Sequence, residues 1–153
     1  QLRGGVPHFR LGWLFLDTER GRHAKGYQER VFHHEFFHLV DYADDGEVYQ
    51  DAEWAKLNPA EFHYESGGAQ MQDSREDPCR ETDEIPGFLT LYGTAGVEED
   101  KAEMCSFLFT GGAFLVQRAS ADPVVLAKRD RMKSLLRAVD PSFDDSFWEA
   151  LKN

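Results

Sequence analysis

The hydrophobic residues of this chain recur every three or four positions in four stretches, and that spacing predicts four amphipathic helices. The first helix is predicted to begin near Tyr27 and to end between Ala43 and Gly46, because Asp44, Asp45 and Gly46 form a stop signal. The other three are predicted from the glycine-rich turn of residues 87–96 to Gly111 and Gly112, from Pro123 to Val139, and from Ser142 to Leu151. An Asp-Pro pair stands at the start of each of the last two, as is typical of a helix start.

The remaining segments lack this helical period. Residues 11–16 (LGWLFL) are mostly apolar and predict one buried strand, whereas residues 1–10 carry two glycines and a proline and predict an irregular lead-in. Residues 47–86 predict a long loop with one helical turn near residues 51–57. Three aromatic residues are expected to anchor that loop to the core: Trp54, Phe62 and Tyr64. The chain of 153 residues therefore predicts a single α+β domain, mainly helical, over residues 1–153.

The first predicted helix has two different sides, since residues three or four apart share a helix face. One arc is apolar and is predicted to pack against the core: Phe32, Phe36, Leu39, Val40 and Ala43. His34 and His38 fall on the opposite side, where their imidazoles are available to bind a ligand or to take part in catalysis. His33 points away from that pair of histidines and is predicted to be structural.

Residues 34–38 of this helix read His-Glu-x-x-His. Two imidazoles four residues apart stand one above the other and can both reach a zinc ion at about 2.0–2.1 Å. Glu35 projects beside them, where a carboxylate can take a proton from a metal-activated water. The motif predicts a zinc site with His34 and His38 as ligands and Glu35 as the general base.

Two histidines leave a catalytic zinc ion short of its usual three protein ligands. Glu99 is the leading candidate for the third, because Glu103 lies one turn further along the same helix stripe and can hold a ligand histidine by its other ring nitrogen. Asp44, six residues after His38, is the rival candidate, but Asp41 stands where that type of site needs a glycine to turn the chain. Asp41 is interpreted either as a partner of a ligand histidine or as the cap of a turn.

These residues resemble the gluzincin metallopeptidases, in which a glutamate on a later helix completes the His-Glu-x-x-His site. The pattern looks most like the anthrax lethal factor-type catalytic domain and the related bacterial zinc-binding metallopeptidases. The matching residues are His34 to Tyr42, Gly87 with Phe88 and Tyr92, and Glu99 to Glu103, so that the resemblance covers roughly residues 27–110.

The resemblance implies a zincin-like fold with an active-site helix, a second helix that bears a ligand, and a small or truncated sheet. It implies that His34, His38 and Glu99 bind zinc, that Glu35 is the base and that Glu103 holds a ligand histidine. It also implies that Tyr92, seven residues before Glu99, stabilises the tetrahedral oxyanion. On spacing alone Tyr92 is equally well interpreted as a core or turn aromatic.

The composition of the chain narrows its range of partners. A net charge of −11 argues against nucleic acid, and no apolar run approaches the roughly 18 residues of a membrane span. Acidic residues concentrate at positions 41–51 and 73–84, which is interpreted first as simple solubility, with a preference for a basic peptide as the alternative. The chain begins at Gln1 rather than Met, so we expect a processed or excised piece, with a weak preference for a location outside the cytosol. In that case we expect Cys79 and Cys105 to be bonded, and otherwise to be two thiols.

The sequence predicts a zinc-dependent peptidase that acts on a peptide or protein substrate. Two alternatives stay open, namely a zinc-stabilised binding or scaffold domain without turnover, and a metal-dependent hydrolase of a non-peptide substrate. The presence of both Glu35 and Tyr92 argues against the scaffold domain.

Overall fold

The computed structural model of the protein describes residues 4–19, 26–65 and 79–151. The chain is about 60% helical, and a two-stranded sheet is the sheet found among the described residues. The α+β, mainly helical class predicted from the sequence is therefore confirmed. Residues 73–78 of the predicted acidic stretch lie outside the described residues.

The sheet is an antiparallel hairpin of β1 (Gly5–His8) and β2 (Trp13–Leu16), in which Val6 pairs with Phe15. The irregular lead-in predicted for residues 1–10 is wrong from Gly5 onward, because β2 supplies the backbone partners that β1 needs. The predicted buried strand begins at Trp13 rather than at residue 11, and Trp13 is 58% exposed. Phe15 and Leu16 are exposed as well and no residue of β2 is buried, so the prediction of a buried strand is wrong: the strand forms an outer hairpin rather than part of the core.

The helices begin and end close to the predicted signals. They are α1 (Tyr27–Asp45), α2 (Ala52–Ala55), α3 (Val97–Thr110), α4 (Gly112–Ala121), α5 (Pro123–Val139) and α6 (Asp145–Leu151). The bounds of α1 and α5 and the turn at α2 confirm the predictions, and α6 starts three residues later than Ser142. Helix α4 was not predicted, because Gly111 and Gly112 end α3 but do not prevent a second helix from starting at once. Among the described residues, no helix combines the length and the apolar character needed to cross a membrane.

Helix α3 lies at the centre of the fold and packs against α1, α4 and α5. Its own apolar side chains and those of the neighbouring elements form one buried cluster: Phe37, Trp54, Leu89, Val97, Ala102, Met104, Cys105, Phe107, Leu115, Ala119, Val125, Met132, Leu136 and Trp148. The predicted anchoring of the loop after α1 is confirmed, because Trp54 is fully buried and the ring of Phe62 packs on Phe88.

The buried face of α1 is the reverse of the one predicted. Phe32 and Phe36 of the apolar arc are 41% and 47% exposed, whereas His34, Phe37 and His38 are buried against the rest of the chain. The reason is that α1 packs on α3, whose carboxylates accept hydrogen bonds from the histidine side. Polar partners across the interface, rather than apolar area alone, decide which side of this helix is inside.

Candidate metal centre

The structure brings His34 and His38 of α1 together with Glu99 of α3. One ligand atom from each residue can be chosen so that all three lie within 4.8 Å of one another. Glu99 Oε2 is 3.0 Å from His34 Nε2 and 3.6 Å from His38 Nε2. The three residues predicted to bind a metal ion, from two segments about 60 residues apart in sequence, are thus brought together at a single helix interface.

Local sequence explains how the two helices place these side chains. Residues 34 and 38 of α1 are one turn apart, so their rings follow each other along the helix, with centroids 5.0 Å apart. Glu99 lies in the first turn of α3, where the positive end of the helix dipole favours a carboxylate. The packing of α1 on α3 then sets the carboxylate against both rings.

The donor set fits a zinc ion. Two imidazole nitrogens and a carboxylate oxygen are the ligands of one common class of catalytic zinc site. Ligand atoms placed tetrahedrally about 2.0–2.2 Å from zinc lie about 3.3–3.5 Å from one another. The distances of 3.0 and 3.6 Å from Glu99 Oε2 to the two histidine nitrogens bracket that separation. The separations of the carboxylate oxygen from both histidine nitrogens are therefore compatible with a shared cation.

The electrostatics of the cluster also favour a positive charge at this point. Burial opposes a charged imidazole, but hydrogen bonds to Glu103 and Glu99 outweigh it and raise the pKa of His34 to about 10. Burial would likewise raise the pKa of Glu99, but its hydrogen bonds with His34 and His38 hold that pKa well below its usual range. The carboxylate stays ionised and the group as a whole stabilises a cation.

Glu103 holds the first histidine from the other side. Its Oε1 lies 2.9 Å from His34 Nδ1, and its carboxylate is buried. This is the contact predicted from the one-turn spacing of Glu99 and Glu103. It fixes the ring orientation of His34 and leaves Nε2 directed toward Glu99.

Tyr92 lies at the start of a short 3-10 turn, Tyr92–Thr94, that leads toward α3. Its hydroxyl donates a hydrogen bond of 2.8 Å to Glu99 Oε1. Burial, followed by the nearby charge of Glu99, raises the pKa of Tyr92 above its usual value. The phenol is therefore protonated at neutral pH and can act as a hydrogen-bond donor at the centre.

Glu35 lies on the side of α1 that faces the hairpin. A Cβ atom built on Gly5 of β1 would meet Glu35 Cγ at 2.6 Å, so the strand runs directly over this side chain. Glu35 is half-buried and close enough to Tyr92 to act on the charge state of the phenol. Tyr92 thus contacts the cluster directly through Glu99, whereas Glu35 lies under β1 and interacts with Tyr92 electrostatically.

The other predicted residues take different positions. Asp41 accepts a hydrogen bond of 2.6 Å from Lys101 of α3, so that its partner is a lysine and not a histidine ring. Asp44 is exposed and lies outside the cluster of three metal-binding groups. His33 is half-buried, and its ring stacks on Phe109 at a centroid distance of 4.5 Å, as expected for a structural residue.

No disulfide joins the two cysteines in the structure. Cys79 is half-buried, and its carbonyl accepts a hydrogen bond from Arg30 of α1. Cys105 is buried in α3, and burial raises the pKa of its thiol. The bond that we expect outside the cytosol is thus not formed here.

Several polar residues that support the centre were not found by sequence reasoning. Thr90 is fully buried beside Glu103, and Lys101 bridges Asp41 and Asp51. Their partners are distant in sequence, and neither residue belongs to a spaced motif. The available signal for Thr90 was its position in the same glycine-bounded turn as Tyr92.

Comparisons of the chain with protein-family models, with curated proteins and with solved structures find no match.

Proposed function

We propose that the protein is a zinc-dependent peptidase with His34, His38 and Glu99 as metal ligands. The observation that carries the proposal is the convergence of these three donors, one from each residue, within 4.8 Å. A chance His-Glu-x-x-His motif gives no reason for a third ligand on another helix, or for a carboxylate behind the first histidine.

The chain's own groups would divide the chemistry among them. Zinc, when bound, would supply a Lewis acid that activates a water molecule and polarises the scissile carbonyl. Glu35 would accept the proton that the water loses and return it to the leaving amine. Tyr92, which donates to Glu99 Oε1 at 2.8 Å, would transfer that hydrogen bond to the substrate oxygen as negative charge develops.

A structural zinc site in a non-catalytic domain is the second candidate. It is favoured by the burial of His34 and His38 in the interface between α1 and α3, since structural sites are closed to solvent. Structural sites normally use four protein ligands, however, and the cluster among the described residues has three. An incomplete protein ligand set supports the catalytic proposal over the structural one.

Metal content and cleavage of an unbiased peptide library would test the proposal. We expect about one zinc per chain, and cleavage that a chelator abolishes and added zinc restores. Glu35→Gln should retain zinc and the folded state while lowering cleavage by about 10²–10⁴-fold, because it removes a proton acceptor and not a ligand.

Glu29→Gln is the matched control, because Glu29 is an exposed acid of the same helix. It should leave cleavage unchanged. Zinc binding without cleavage of any peptide would favour the structural site, and cleavage that survives complete metal removal would overturn the proposal.

A further inference from the structure

We propose that Thr90 is a positioning residue of the metal centre, acting on the zinc ligand His34 through Glu103. The inference rests on the proposed function, since it assumes that His34 binds a metal. It adds a residue that neither the His-Glu-x-x-His motif nor the spacing of the two glutamates points to.

The hydroxyl of Thr90 both donates and accepts a hydrogen bond. Thr90 is fully buried, with 0% of its surface exposed. Its Oγ1 donates a hydrogen bond of 2.7 Å to Glu103 Oε2 and accepts one of 3.2 Å from the backbone N–H of Gly93. The hydroxyl has a single O–H donor, and it is used in the hydrogen bond to Glu103.

These hydrogen bonds connect Thr90 to the proposed metal ligand His34 through the carboxylate of Glu103. Glu103 uses both of its oxygens: Oε2 accepts from Thr90, and Oε1 lies 2.9 Å from His34 Nδ1. A proton held on Nδ1 leaves the lone pair of Nε2 for a metal ion. By holding Oε1 toward Nδ1, Thr90 therefore helps to keep His34 in the orientation that presents Nε2 to a metal ion.

Thr90 also restrains the plane of the Glu103 carboxylate. A glutamate held by one oxygen can rotate about its last side-chain bond, whereas one held by both oxygens cannot. The carboxylate is buried, so water does not readily replace a missing donor. Removing the hydroxyl should leave Oε2 without its partner and loosen the hold on His34.

The same hydroxyl connects the centre to the turn that carries Tyr92. Gly93 follows Tyr92 directly. The hydrogen bond from its backbone N–H to the Thr90 hydroxyl holds the start of the 3-10 turn. One side chain thus links the tyrosine turn, α3 and the histidine of α1.

Zinc affinity, measured by competition with a chromogenic chelator, tests this role. Thr90→Val keeps the side-chain shape and removes the hydroxyl, and we expect zinc binding to weaken by about 10–100-fold, as is typical when a residue that orients a ligand is lost. Thr90→Ser restores the donor and should recover most of the affinity. Thr94→Val is the matched control, because the Thr94 hydroxyl donates to the Leu91 carbonyl within the same turn and does not contact the metal ligands.

Thermal unfolding of the metal-free proteins separates positioning from folding. We expect metal-free Thr90→Val to fold, and Thr90→Ala serves as a second variant that also lacks the hydroxyl. Failure of both to fold, with Thr90→Ser normal, would assign Thr90 to stability and overturn the positioning role. If the wild type binds zinc and Thr90→Val binds it equally tightly, the positioning role of Thr90 is overturned and the proposed function is not. Absence of zinc binding by the wild-type chain would overturn the proposed function, and the role of Thr90 with it.

Discussion

Helices α1 and α3 meet at the candidate metal centre, yet they differ in how much of their surface is buried there. Helix α1 is one-sided, with Phe32 and Phe36 exposed and its histidines buried. Helix α3 is buried over most of its length, although four of the five residues from 99 to 103 are charged. Asp100 and Lys101 form ion pairs with Lys128 and Asp41, and Glu99 and Glu103 share the imidazole of His34.

The difference teaches that charge pairing, in addition to hydrophobic packing, decides which surfaces are inside in this part of the molecule. Asp100, for example, accepts hydrogen bonds from Trp54 and Tyr64 and forms an ion pair of 2.7 Å with Lys128. Burial raises the pKa of Asp100 and lowers that of Lys128, so each charge depends on its partner. The adjacent residues Glu99 and Asp100 therefore serve separate purposes, one at the metal centre and one in the core.

The largest effect is expected from breaking a charge pair of α3. Lys128→Met should lower the free energy of unfolding by about 3–5 kcal/mol, because it leaves the carboxylate of Asp100 buried without its cation. Urea denaturation measures the change. Lys56→Met, at an exposed lysine, is the control and should stay within about 0.5 kcal/mol of the wild type.

A second substitution sharpens the interpretation of that result. Adding Asp100→Asn to Lys128→Met should restore part of the lost stability, because the unpaired charge is then removed. A Lys128→Met variant as stable as the wild type would mean that the charges of α3 do not need their partners, and the comparison of the two helices would fail.

The next effect concerns the ligand that α3 contributes. Glu99→Ala should weaken zinc binding by more than about 100-fold, because loss of a ligand must exceed the 10–100-fold typical for a residue that only orients one. Asp44→Ala, at an exposed acid of α1, should leave zinc binding unchanged. Zinc content after dialysis against a weak chelator compares the two variants. A larger loss of zinc from Asp44→Ala than from Glu99→Ala would favour a site built on Asp44.

The smallest effect is expected on the exposed side of α1. Phe36→Ala should cost about 1 kcal/mol or less, since Phe36 is 47% exposed and packs mainly on the ring of Phe32. Phe37→Ala, one position further along, should cost about 3–5 kcal/mol because Phe37 is in the core. Equal losses of unfolding free energy for the two neighbours would contradict the orientation of α1 described above.

The sequence predicted the parts of this molecule that depend on local signals. The stop at Gly46 and the Asp122-Pro123 start placed α1 and α5, since capping acts within one turn. The one-turn spacings of His34 with His38 and of Glu99 with Glu103 limited where a metal could be held, since they fix side chains on one helix face.

The features that were missed depend on contacts between distant segments. Strand β1 was read as irregular because its pairing with β2 is not visible in its glycines and proline. The outward face of α1 was misassigned because the partners that bury His34 lie more than 60 residues away. Lys128 gave no signal, and Thr90 gave only its position in the turn of Tyr92, since a buried threonine or lysine is defined by partners that only the folded chain brings to it.

Gly5 of β1 carries a consequence for how this sequence can vary. Its backbone conformation is an ordinary extended one, so a larger residue would suit the strand itself. The obstacle is space, because the first carbon of any side chain there would lie 2.6 Å from Glu35 Cγ. Among variants of this chain, the identity of residue 5 is thus bound to the placement of Glu35 on a separate element. A substitution that looks neutral in the hairpin is in effect a substitution beside the proposed base.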